Sequence, residues 1–251
     1  MNTQQTMQPD EDGILKPRRK ELPRSAAEAV DKIVQQITQL LDQKIDLCDQ
    51  AFAEGYDAIL QLYDQYQQAL LHYLGQPAVC RTTCAYCCLH WVEDVYSFEI
   101  ALLARRLRQN LPDQAARIRA LAEDDRRVFE DLLRSGEVQH LLGRGRDEAA
   151  WRLLVQRFFE QRRPCPLLTN DRTCSVYSRR PLTCRAYISF RDPQDCKFNN
   201  LQSSLNACIV ELPEEVAATL DELHFRFARY EGESSLRLLL ANYLEDTGGE
   251  N

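Results

Sequence analysis

No stretch of the 251 residues approaches 18 uninterrupted apolar positions, so the sequence offers no membrane-spanning helix. The opening MNTQQTMQPDEDG also lacks the apolar centre that a secretory leader needs, and a soluble, cytoplasmic chain is expected. Lysine is scarce: of 31 basic residues five are Lys and 26 are Arg, against 38 acidic ones, which leaves a net charge of −7. Such a chain carries no general basic footprint, and nucleic acid is not an expected partner. Nine glycines are spread thinly, and Gly143-Arg144-Gly145-Arg146 follows no strand that would make it a phosphate loop. An HExxH pair and a Ser/His/Asp set are both missing, so no catalytic residues can be named and catalysis is neither indicated nor excluded.

Cysteine is what the chain has in concentrated form. Eight of its ten cysteines fall in two blocks. The first, CRTTCAYCC, holds Cys80, Cys84, Cys87 and Cys88. Thiolates two or three residues apart suit a metal because a tight turn can aim both at one ion about 2.3 Å away. The adjacent side chains of Cys87 and Cys88 diverge, which favours a polynuclear centre or two neighbouring centres. The second block places Cys165, Cys174, Cys184 and Cys196 in a stretch rich in turn formers. With no continuous apolar face of its own, that stretch is expected to depend on metal ligation for its order. In a reducing compartment clustered cysteines are ligands more often than disulfides.

Taken together, the first run, the Cys165-Pro166-Leu167-Leu168 step, and Cys174, Tyr177, Arg180, Pro181, Cys184, Arg185 and Tyr187 resemble the YkgJ-like cysteine-cluster family, described as zinc- or iron-chelating. The resemblance covers roughly Val79 to Cys196 and makes Cys196 the eighth cysteine. It implies a metal centre of Cys80, Cys84, Cys87, Cys88, Cys165, Cys174, Cys184 and Cys196, holding zinc or iron, with an iron–sulfur cluster as one form. Thr83 stands where many relatives carry Gly. A similar cluster in flagellin lysine-N-methylases leaves a metal-dependent protein-modifying enzyme open beside a chelating module and a structural zinc scaffold for protein interaction.

The remaining residues read as mainly helical. Residues 1–24 are polar and aperiodic, a disordered tail. Across 25–76, apolar positions from Val30 to Leu74 recur at steps of three and four, giving one long amphipathic helix or two in line, with Gly55 as a candidate break. This stripe packs either on the chain's own core or on a second copy or other protein partner, and Cys48 lies on it as a small buried residue. Residues 77–212 form the cysteine-cluster domain. Its helical insert, 97–162, is capped by Ser97, restarted at Pro112 and stopped at Ser135-Gly136, with a further helix from Asp147. Residues 213–251 supply two more helices and a polar tail. The expected architecture is a helical bundle carrying a cysteine-rich, loop-rich metal-binding layer. Arg81, Arg163, Arg180 and Arg185 are placed to offset thiolate charge, Tyr177 and Pro181 flank the ligands, and Cys208 and His90 are expected to be peripheral to them.

Overall fold

Apolar residues three and four apart wind most of the chain into helices. The computed structural model describes residues 7–10, 13–43, 46–196, 207–227, 229–230 and 234–245. The protein is mainly α, and it divides into two compact units: Met1–Arg81 with Ser178–Arg229, and Thr82–Tyr177 with Tyr230–Asn251.

The first unit starts from two helices. Helix α1 (Arg24–Asp42) and helix α2 (Gln50–Leu74) pack against each other instead of running in line. The break precedes Gly55: Asp49 closes the intervening turn by accepting a hydrogen bond from the Asp46 amide at 2.7 Å and then serves as N-cap of α2. Gly55 is instead the point of closest approach, where a Cβ would stand 2.8 Å from Leu40 Cδ2. Cys48 lies in this turn and is exposed. The expectation that it is buried fails because the apolar stripe does not run through the turn. Helix α2 ends at Gly75 in the left-handed region, φ 66°, with Gln76 N–H donating to Leu71 O and Gly75 N–H to His72 O, the paired closure that an L-residue at this φ would strain.

Part of the supposed tail is structured. Ile14–Leu15 forms strand β1, Leu15 is 2% exposed, and the strand pairs parallel with β3 (Ala207–Val210), which pairs antiparallel with β2 (Tyr187–Ser189). Residues 1–6 and 11–12 of that tail lie outside the described residues. The sheet is fastened to α2 by two phenols: Tyr63 Oη donates to Val210 O at 2.6 Å and Tyr66 Oη to Glu211 O at 2.7 Å. A short helix, α7 (Leu182–Ala186), leads into β2, and the helix from Glu214 to Phe227 packs on α1.

The second unit is all helix and loop among its described residues. Helices α3 (Ser97–Asn110), α4 (Pro112–Leu133) and α6 (Asp147–Glu160) fall where the sequence places them, with Pro112 opening α4 at a position whose N–H has no helical partner in any case. Helix α4 stops just before Ser135-Gly136, as expected, and a short further helix, α5 (Gly136–Leu142), follows before α6. With the 214–227 helix as α8, the last helix is α9 (Leu236–Glu245), which packs on α3 and α4. The core stacks Trp91 on Phe129 at 3.7 Å between ring centroids, with Val138, Leu154 and Phe158 around them. The polar C-terminal tail, 246–251, lies outside the described residues.

Candidate metal centre

Short backbone bonds hold the cysteine loops of the second unit. Cys87 and Cys88 open a single helical turn that His90 closes through its N–H to Cys87 O. Cys165 N–H donates to Cys88 O at 2.7 Å, so the two sequence blocks meet at these residues. From Cys165 the chain doubles back on itself. Leu168 and Cys174 form a bridge, Thr169 and Thr173 bond through backbone and hydroxyl, and Arg172 takes the turn at φ 59°. On the α4 side Arg117 reaches Leu168 O at 3.4 Å.

The electrostatics agree with the backbone. The Cys88 thiol is pushed far above the ordinary range, first by its hydrogen bond with Cys87, then by burial and by the charges of Cys87, Cys165 and Cys174. Burial raises the Cys165 thiol to about 11, the nearby Arg237 guanidinium pulling it down and Cys174 pushing it up. Thiols held this close repel one another once ionised, and an ion that binds them together would relieve that repulsion. Sulfur donors of this kind are what zinc and iron take, so the residues fit such a group by their chemistry. Among the described residues, no group of three or more His, Cys, Asp or Glu side chains stands in metal-holding geometry. His90 is buried against Phe159, ring centroids 5.0 Å apart.

Within the first unit, Cys80 Sγ accepts a hydrogen bond from Ser189 N–H at 3.3 Å, and Val79 N–H donates to Ser189 O, so the start of the first block runs along β2. Cys208 faces Ile188 across the β2–β3 pair and is fully buried. Its thiol is raised to about 12, first by burial and then by the Cys80 charge. Cys184 sits in α7, which packs on β2 and β3, and the buried Cys196 ends the Pro193–Cys196 turn, which packs on β2. Cys208 is therefore buried on a strand within electrostatic reach of a predicted ligand, Cys80. The signal was its β-branched neighbours, Ile209 and Val210, which mark a buried strand.

The arginines are engaged differently from the expectation. Arg163 donates to Asp125 Oδ1 at 2.6 Å and also to Asp124. Arg185 pairs with Asp64 at 2.6 Å and donates to the carbonyls of Arg180 and Ser178. These contacts order the loop carrying Cys184, which accounts for regular structure in a stretch expected to lack it. Carboxylates already neutralise both guanidiniums, which weakens their role as counter-charges for sulfur. The residue the sequence reading missed is Arg237, one charge inside the apolar run Leu236 to Ala241. A lone charge in such a run was the available signal.

A family model described as "CxxCxxCC: Putative zinc- or iron-chelating domain" matches residues 79–208, half of the chain, and its last matched residue is Cys208. Comparison with curated proteins finds no match, and comparison with solved structures finds none.

Proposed function

The chain belongs to this CxxCxxCC family, and from that premise we propose that it binds zinc or iron through clustered thiolates. In the second unit the ligands are drawn from Cys84, Cys87, Cys88, Cys165 and Cys174, and in the first from Cys80, Cys184 and Cys196. The observation that carries this reading is the meeting of Cys88 and Cys165, 77 positions apart, through a 2.7 Å backbone bond, with Cys87 and Cys174 acting electrostatically on the Cys88 thiol. Ionising thiols brought near one another from two sequence blocks is costly without a cation, because the charged forms repel. A bound cation removes that cost and contributes folding free energy.

The test is elemental analysis of the full chain purified without oxygen. Zinc or iron bound in fixed ratio to protein, reduced in Cys88→Ser and Cys165→Ser and unchanged in Cys48→Ser, is the expected result. Colour separates the metals: an iron–sulfur protein is brown and a zinc protein colourless. Wild-type protein carrying neither metal, and taking up neither on reconstitution, would overturn the reading.

A further inference from the structure

Arg237, the second residue of α9, is 1% exposed and makes contacts out of proportion to its apolar surroundings. Its guanidinium pairs with Asp125 and donates to Pro164 O at 3.1 Å, Arg163 O at 3.1 Å and Cys88 O at 3.4 Å, while its Cζ stands 4.9 Å from the Phe158 ring centroid. One of those carbonyls belongs to Cys88 and the other two to the residues just before Cys165. A single planar cation thus spans both loops at the place where Cys165 N–H meets Cys88 O. The fork geometry matters, since a lysine could not hold one carboxylate and three carbonyls from one fixed plane.

Two further features fix the arrangement. Asp125 lies on the buried stripe of α4 between Ala122 and Phe129 and is shared between Arg237 and Arg163. The start of α9 is itself stitched to the strand of chain that leaves the first cysteine block, Leu236 N–H to Val92 O at 3.0 Å and Val95 N–H to Ser234 O at 3.1 Å. Arg237 also lies outside the matched residues 79–208.

We infer that Arg237 is the positioning residue of the second unit's thiolate centre, clamping the Cys88 and Cys165 loops in the register in which both sulfurs can ligate one metal centre. This rests on the proposed metal binding. It predicts that metal affinity depends on the shape of the guanidinium as well as on its charge.

The experiment titrates metal-free, reduced, full-length protein with Co(II), and with Zn(II) against a competing chelator, for the wild type, R237K and R237M. The sulfur-to-cobalt charge-transfer band reports how many thiolates ligate. Expected is a loss of about 10- to 100-fold in affinity for R237M, a smaller loss for R237K, and a weakened charge-transfer band in both, with helical circular dichroism retained. A purely structural tie would lower stability and leave the affinity and band of the folded variants as in the wild type, and that result overturns the inference. Should R237M fail to fold, R237K decides by the same criterion. The wild type gives an independent arm: Zn(II) should slow amide hydrogen exchange at residues 235–238, and unchanged exchange there on loading counts against the clamp. Wild-type protein that binds no metal overturns the proposed function itself, which separates that failure from a failure of Arg237 alone.

Discussion

In the second unit the cysteine loops hang on an ion pair buried on both sides, whereas in the first they hang on strand pairing, phenol hydroxyls and Arg185, whose partner Asp64 is half exposed. Asp125 and Arg237 are 3% and 1% exposed as side chains, and Arg163 and Asp124 extend the network toward solvent. Two arginines and two aspartates balance in charge, but each needs the others, since a buried ion without its partner is far more costly than the pair is favourable. Tyr63 and Tyr66 are neutral and meet neutral carbonyls. Losing one of them forfeits a hydrogen bond of about 1 kcal/mol and little else. Similar loop-holding tasks thus carry different penalties for damage. The ionic scaffold is brittle and direction-specific, and the phenolic one is graded.

The largest expected effect tests that brittleness. Asp125→Ala leaves Arg237 buried without its carboxylate and should destabilise the second unit by about 3–5 kcal/mol. Both tryptophans, Trp91 and Trp151, belong to this unit, so their fluorescence during urea unfolding reads it selectively. If Asp125→Ala unfolds at the wild-type urea concentration, the contrast between the scaffolds disappears.

Next in size is the removal of both phenols. Tyr63→Phe with Tyr66→Phe should cost about 2 kcal/mol, about 1 for each bond lost, and should appear in far-ultraviolet circular dichroism while the tryptophan signal keeps its midpoint. A shift of equal size in both signals would mean that the two units unfold as one.

The same pair supplies a pH test. Burial, the leading cause for each, holds both phenols above their ordinary value of 10. The folded state therefore favours the protonated form. That contribution is fully present below pH 10 and is lost as pH rises beyond it, by at most about 1.4 kcal/mol per pH unit for each group. Wild type should accordingly lose stability above pH 10 faster than the double Phe variant, and the gap between them should narrow. A gap that stays constant from pH 8 to 11 would show that the phenols ionise as readily in the folded chain as in the unfolded one.

What was legible in the sequence follows the same division. Helices α3, α4, α6 and α9 could be placed because each has its own start signal and an apolar stripe long enough to show a period, and the cysteine blocks because ligand spacing is local. The strands β1 and β2 are two and three residues long, too short for any alternation to register, and β1 sits in a stretch whose composition reads as solvated. The turn between α1 and α2 carries neither Gly nor Pro. It is set by Asp46 and Asp49 bonding to each other, which a period-based reading steps over. Asp125 and Arg237 were hidden for the opposite reason. Each stands alone on an apolar face, and only tertiary contact reveals that the two answer one another.

The smallest expected effect bears on how closely each unit is packed. Ala in place of Gly within a helix is worth up to about 1 kcal/mol when nothing opposes it, because the unfolded chain loses freedom. At Gly55 something does: the new Cβ would lie 2.8 Å from Leu40 Cδ2, and Leu40 is 3% exposed, so its side chain has little room to swing aside. Overpacking of this kind costs about 1–3 kcal/mol. The opposing terms leave Gly55→Ala destabilising by about 1 kcal/mol, read in the circular dichroism midpoint. At Gly136, the first residue of α5 in the second unit, a Cβ meets nothing within 4 Å, and Gly136→Ala should stabilise by a few tenths of a kcal/mol, read in tryptophan fluorescence. The two substitutions are chemically identical, so a difference in sign isolates the helix contact. If Gly55→Ala were as stabilising as Gly136→Ala, the approach of α1 to α2 would be looser than the 2.8 Å contact implies.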